Sequence, residues 1–181
     1  MKILTILGSS RREGNTEYLV RKIVDGVQHT ELFLGDYKLD PIIDERHREG
    51  GFNETHDDYE SVLEQLLAHD IIVFATPVYW FGMSAQMKVF FDRWSQYLRD
   101  ERFNMKAALQ NKQAYVVTTG GSNPHITALP LIQQFGHIFD FVGMTYKDYM
   151  IGNAVKPGEV KEDILALQKA KQWNEHFKTL I

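Results

Sequence analysis

Short apolar runs alternate with longer amphipathic stretches along this chain, and that alternation leaves few folds open. The runs Ile3–Leu7, Ile71–Ala75 and Ala114–Thr118 are almost continuously apolar and rich in β-branched residues. Such runs suit central parallel strands covered on both faces. Between them, apolar residues recur at helical spacing: Leu19, Val20, Ile23, Val24 and Val27, then Tyr59, Val62, Leu63, Leu66 and Leu67. A third stripe joins Met83, Met87, Phe90, Phe91, Trp94 and Leu98, and a fourth Leu131, Ile132, Phe135, Ile138 and Phe139. Each would bury one side of a helix. Glu31–Leu34 and Gly143–Ile151 complete a set of five strands, and a last helix is expected from about Val160 to Phe177, after Pro157-Gly158. Right-handed crossovers turn this β-α order into an α/β protein with a parallel sheet between helical layers. With no internal repeat or linker, the 181 residues read as a single domain, 1–181.

Three strand ends carry polar or aromatic loops. The first is Gly8-Ser9-Ser10-Arg11-Arg12-Glu13-Gly14-Asn15-Thr16. It lacks the three glycines of a dinucleotide fingerprint and the Gly-Lys-Ser/Thr of a P-loop. It still suits one phosphate. Ser9, Ser10, Asn15 and Thr16 offer hydroxyl or amide donors, Arg11 offers charge, and Gly8 and Gly14 let the backbone bend. A helix starting near Asn15 or Thr16, with Asn15 as its cap, adds a positive end. The bland alternative is an ordinary capped turn.

The second loop is Thr76-Pro77-Val78-Tyr79-Trp80-Phe81-Gly82-Met83. Pro77 ends a central ladder. Three aromatics in a row cannot all face the core, so at least one should be exposed to a ring system or a subunit; the alternative is a plug between helix and sheet. The third, Thr119-Gly120-Gly121-Ser122-Asn123-Pro124-His125, offers a backbone edge suited to a planar heterocycle. All three would lie at the carboxyl edge beside the reversal of strand order, where open α/β sheets bind ligands. His125 could steady a reduced ring or a substrate oxygen, although a histidine without a role is as consistent with its loop position.

Residues 8–16, the run Thr76 to Lys88 with Phe91-Asp92-Arg93 one turn on, and Thr119-Gly120-Gly121 together resemble the NAD(P)H-dependent FMN reductases and related flavodoxin-like quinone and azo-compound reductases. The likeness runs to about Asn153. It implies a flavodoxin-like three-layer sandwich with strand order 2-1-3-4-5. It also implies that Ser9, Ser10, Arg11, Asn15 and Thr16 hold the FMN phosphate, and that Pro77, Val78, Tyr79, Trp80, Phe81, Gly82, Thr119, Gly120 and Gly121 cradle the isoalloxazine. NADPH or NADH would deliver a hydride, and a quinone, free flavin or azo compound would accept the electrons by a ping-pong mechanism. Members of this family pair as homodimers or homotetramers. The rival reading is a non-enzymatic flavodoxin-type carrier, which the modest charge of −4 disfavours.

The same charge, without a basic cluster, argues against nucleic acid. No stretch is long and apolar enough for a membrane span. The chain has no cysteine, which fits the cytoplasm. The related iron–sulfur flavoproteins place a cysteine cluster in the stretch that here runs Pro41 to Asp58, so a cluster-linked electron path is excluded. His47 and His56 there lack zinc-like spacing, and no metal is expected. Neither a Gly-x-Ser-x-Gly elbow nor a His-Glu-x-x-His helix is present. The twenty-odd residues Gly35–Thr55 are long for a connection, and read as a surface excursion, a lid or a subunit contact.

Overall fold

A computed structural model describes residues 1–180. In chain order the elements are β1 (Ile3–Leu7), α1 (Asn15–Ile23), β2 (Thr30–Phe33), α2 (Tyr59–Ala68), β3 (Ile71–Pro77), α3 (Ala85–Asp92), α4 (Trp94–Tyr97), α5 (Met105–Leu109), β4 (Gln113–Gly120), α6 (Pro124–Thr127), α7 (Leu129–Val142), β5 (Thr145–Asn153) and α8 (Ile164–Lys178). All strand pairs are parallel and the order is β2-β1-β3-β4-β5. This is the expected flavodoxin-like arrangement.

Period-two alternation divides the core between the two faces of the sheet. Leu4, Ile6, Ile72, Phe74, Ala114 and Val116 pack with α2, α3, α4 and α7. Ile3, Leu7, Ile71, Val73, Ala75 and Val117 pack with α1 and α8. Burial on both sides explains why β1, β3 and β4 read as unbroken apolar runs. At the sheet's edge, β5 has exposed and covered residues in turn over Thr145–Tyr149.

Several boundaries differ from expectation. The β5 strand begins at Thr145, because Gly143 closes α7 in the left-handed region at φ 78°. The β2 strand spans Thr30–Phe33, one residue earlier than read. The third stripe is two helices, interrupted at Arg93. The last is a short 3-10 turn, Glu159–Glu162, followed by α8, which Asp163 caps by accepting the Ala166 N–H at 3.0 Å. An aliphatic stripe carries across a one-residue break, so periodicity alone hides both interruptions. Among the described residues no helix is long and apolar enough to cross a membrane.

The break at Arg93 has a use. Its side chain, fully buried, lies against the Tyr59 ring at 4.6 Å and donates to Asp57 (2.5 Å), the Asp40 carbonyl (3.0 Å) and the Thr55 hydroxyl (2.7 Å). Asp57 also accepts the Asp40 N–H at 2.9 Å, and Asp58 that of Lys38 at 2.7 Å. These bonds close the neck of the long connection. Its outer part lies along Gln96, Arg99, Asp100 and Arg102, on the flank of the molecule, so it is a surface excursion pinned to α3–α4.

Burial by itself would raise the Asp57 carboxyl, but the bonds from Arg93 and Asp40 outweigh it and hold it below the usual range. A carboxyl lowered in the folded state adds stability above its unfolded pKa of about 3.9, and that stability fades as pH falls through the folded value. Urea midpoints should therefore drop more steeply below pH 4 in the wild type than in Asp57→Asn. Arg93→Leu, which strands a buried carboxylate, should cost about 3–5 kcal/mol at neutral pH.

Candidate functional site

The order of the sheet reverses between β1 and β3. From β1 the chain leaves toward one face, where α1 packs, and from β3 toward the other, where α3 packs. The two exits diverge at the carboxyl ends, beside the turn after β4, and in open α/β sheets such a reversal is where ligands bind. The three loops singled out in the sequence surround it.

Among the described residues six non-glycine positions have positive φ: Glu13, Trp80, Phe81, Asn104, Ser122 and Asn123. All but Asn104 lie in these three loops. Left-handed backbone costs an L-residue roughly 1–2 kcal/mol and persists where surrounding structure imposes it. The second loop is the most strained. Tyr79 and Gly82 exchange backbone hydrogen bonds, both at 3.0 Å, around a two-residue turn whose central positions are Trp80 (φ 50°) and Phe81 (φ 65°). Turns with two positive φ values favour Asn-Gly. Here two large rings occupy them, and they are 96% and 57% exposed. They do not plug a gap; the backbone is bent to present them. Val78 joins this loop to the third by donating its N–H to the Thr119 carbonyl at 2.9 Å. Pro77, opposite Thr119, is the last residue of β3.

In the first loop neither Gly8 nor Gly14 adopts positive φ, so Gly8 is needed for closeness rather than for bending. A Cβ there would lie 2.9 Å from Met87 of α3, and the Ser84 hydroxyl at the head of α3 donates to the Gly8 carbonyl. Ser9 is buried and its Oγ accepts the Arg11 N–H at 3.3 Å. Ser10 is exposed, 3.4 Å from the Tyr79 hydroxyl. The two arginines differ. Arg12 is engaged by Glu31 and Asp36 and lies over Phe33, whereas among the described residues no carboxylate pairs with Arg11. Thr16 is buried in the first turn of α1.

Asn15 is not the cap. Gly14 holds that position, and the Asn15 side chain donates to the Lys156 carbonyl and accepts the Gly158 N–H, both at 2.9 Å. It bolts the loop to the segment after β5, so its backbone N–H is what it offers a ligand. Glu17, which sequence reasoning passed over, is buried behind the loop and accepts the Glu13 N–H at 2.6 Å. An acidic residue three positions after the capping glycine was the available signal.

In the third loop the Gly120 carbonyl accepts the Ala154 N–H at 2.8 Å, and a Cβ on Gly121 would lie 2.3 Å from a Val155 methyl. No larger residue fits that edge without displacing Val155. His125 opens onto a groove of about 600 Å³ shared with Asn153, Val155, Ile164 and Leu165.

The fold is that of a flavodoxin-like α/β protein, with three polar or aromatic loops gathered at the carboxyl edge of its sheet. Residues 1–156 match the family model described as NADPH-dependent FMN reductase. The chain is 49% identical over 173 residues to YwqN of Bacillus subtilis, whose name describes an NAD(P)H-dependent FMN-containing oxidoreductase; the match covers 95% of this chain and 96% of that one. It is 32% identical to the iron–sulfur flavoprotein MJ1083 of Methanocaldococcus jannaschii, over 94% and 92% of the two chains. The solved structure of the Trp repressor binding protein from Bacillus subtilis superposes with a TM-score of 0.80 at 42% identity, covering 94% of this chain and 96% of that one.

The chain belongs to the NADPH-dependent FMN reductase family. As a member it is an oxidoreductase with FMN as cofactor and a reduced nicotinamide as electron donor.

The strain at the aromatic turn can be tested directly. Giving the turn its favoured residues, with Trp80→Asn and Phe81→Gly together, should raise unfolding stability by about 1 kcal/mol. Flavin affinity should fall in the same protein. A variant that is less stable than wild type would show that the rings do more for the fold than the strain costs.

Proposed function

We propose that the three loops form the FMN site of this enzyme, with Ser9, Ser10, Arg11, Thr16 and the Asn15 backbone N–H around the phosphate. Residues 77–82 and 119–121 then take the ring system. The observation that carries this reading is that, among the described residues, five of the six non-glycine residues with positive φ lie in these loops, above all in the bent Trp80-Phe81 turn. Supporting it are the unpaired Arg11 and the glycine edge at 120–121. Free N–H groups at the start of α1 suit an anion.

FMN, when bound there, would supply the redox chemistry of hydride transfer from NAD(P)H to a quinone, free flavin or azo acceptor. The protein's part is binding and exclusion. The phosphate loop anchors one end of the cofactor and the Gly120-Gly121 edge limits the approach of side chains to the other. The exposed rings of Tyr79, Trp80 and Phe81 shield the ring system from water on one side. No protein acid or base is required for hydride transfer, and His125 is given no role. Donor and acceptor use the remaining open face in turn, so steady-state kinetics are ping-pong. Trp80 and Phe81 would be costly to leave in water, which supports a homodimer or homotetramer with these rings near the contact. A chain without cysteine fits the reducing cytoplasm, where we place it.

NADH or NADPH alone should bleach the bound flavin anaerobically, and a soluble quinone should restore its colour over repeated cycles. Reduction by dithionite but by neither nicotinamide would overturn this assignment of donor. Parallel lines in double-reciprocal plots are expected, and intersecting lines would rule out a shared face. Arg11→Ala and Thr16→Ala should each weaken FMN binding by about 1–3 kcal/mol with the fold intact.

A further inference from the structure

Glu17 presents a paradox. It places a carboxylate, with only 2% of its side chain exposed, directly behind the loop proposed to hold a phosphate. A negative charge there should repel the ligand, and a buried carboxylate is costly unless its oxygens are satisfied. Both oxygens are satisfied. One accepts the Glu13 N–H at 2.6 Å, and the other receives Arg21 from one turn along α1 at 2.5 Å. The first bond falls on Glu13, the one residue of this loop with positive φ, at 58°. Gly14, the capping position, follows at once. The carboxylate thus reaches one residue further back than in the usual capping box, to the residue before the cap.

We propose that Glu17 is the positioning residue of the phosphate loop. By accepting the Glu13 N–H it holds Glu13 in the left-handed region, which swings the chain so that the first N–H groups of α1, at Asn15 and Thr16, face the ligand. Arg21 cancels the charge on the side away from the site. Glu17 touches no ligand itself. This inference rests on the reading of Ser9–Thr16 as a phosphate site.

The test separates the two ideas, because FMN and riboflavin differ only in the phosphate. Full-length protein is titrated with each flavin, following the change in flavin fluorescence. Wild type should prefer FMN strongly. In Glu17→Ala the FMN dissociation constant should rise about tenfold while that for riboflavin stays put, the loss expected when a loop no longer presents its donors. Glu17→Met fills the same space without an acceptor and should behave alike, which covers the case that the alanine variant does not fold. Glu17→Gln keeps an oxygen for the Glu13 N–H and should retain the preference. Adding Glu13→Gly to Glu17→Ala should restore it, since glycine adopts positive φ without help. An unchanged preference in both Glu17→Ala and Glu17→Met would overturn the role of Glu17 and leave the phosphate site standing. So would equal loss of both flavins in a folded variant, or failure of Glu13→Gly to rescue. Equal affinity of wild type for the two flavins would remove the phosphate site, and Glu17's role with it.

Discussion

A parallel sheet whose order reverses between two central strands must leave a gap at their carboxyl ends, and everything else in this protein answers to that gap. The β1 and β3 strands are hydrogen-bonded neighbours over five residue pairs, yet their chains exit to opposite faces. The first backbone N–H groups of α1 have no partner within the helix, and no side chain caps them. Unfilled, such a crevice would expose donors and a hydrophobic edge together. A ligand with an anionic end and a flat end matches both.

The loops around the gap hold unfavourable conformations, so they need rigid neighbours. They have them. The Ser84 hydroxyl donates to Gly8 and ties the head of α3 to the end of β1, while Ser84 itself caps α3 by accepting the Met87 N–H. Val78 and Thr119 join the second loop to the third, Gly120 and Ala154 join the third to β5's exit, and Asn15 joins that exit back to the first. The four connections form a closed ring of hydrogen bonds around the crevice. Strained φ values at Glu13, Trp80, Phe81, Ser122 and Asn123 therefore sit on a continuous frame, as preorganised sites require.

Most of the fold was legible because it depends on periodicity, which a single chain displays. The β1, β3 and β4 runs and the loops at their ends could be read directly, since burial on two faces admits few polar residues, Thr5 and Thr118 among them. What failed depends on one atom group acting at a distance. The breaks at Arg93 and Asp163 interrupt stripes that continue on either side. Asn15 is a plausible cap by type, but its amide is taken by a loop 141 positions away. The exposure of the aromatic turn was foreseen for at least one ring; that two rings occupy left-handed positions was not, because nothing in Tyr-Trp-Phe-Gly announces positive φ. Glu17 was missed for the opposite reason: its spacing after Gly14 is a capping signal, but a glutamate in a first helical turn is so common that the signal does not announce burial.

The long connection after β2 shows the same economy of means. In the iron–sulfur branch that this sequence resembles, the corresponding stretch is expected to carry a cysteine cluster, which would fix a loop by metal coordination. This chain has no cysteine. Its loop is closed instead by a guanidinium and a carboxylate, each with 1% of its side chain exposed, and by the Asp58 and Asp57 carboxylates accepting the backbone N–H groups of Lys38 and Asp40. A buried ion pair gains little net stability over an apolar pair of the same size. Its return here is directional. Arg93 has five N–H donors in a fixed plane, and it spends them on residues 40, 55 and 57 together with Gln96 and Tyr97, which no aliphatic side chain could do. The backbone stays helical at Arg93, with φ −64° and ψ −18°, so its side chain runs beside that of Tyr97 one turn on, and the two share the buried flank. The segment is thereby held to the flank of the molecule, along Gln96, Arg99 and Arg102.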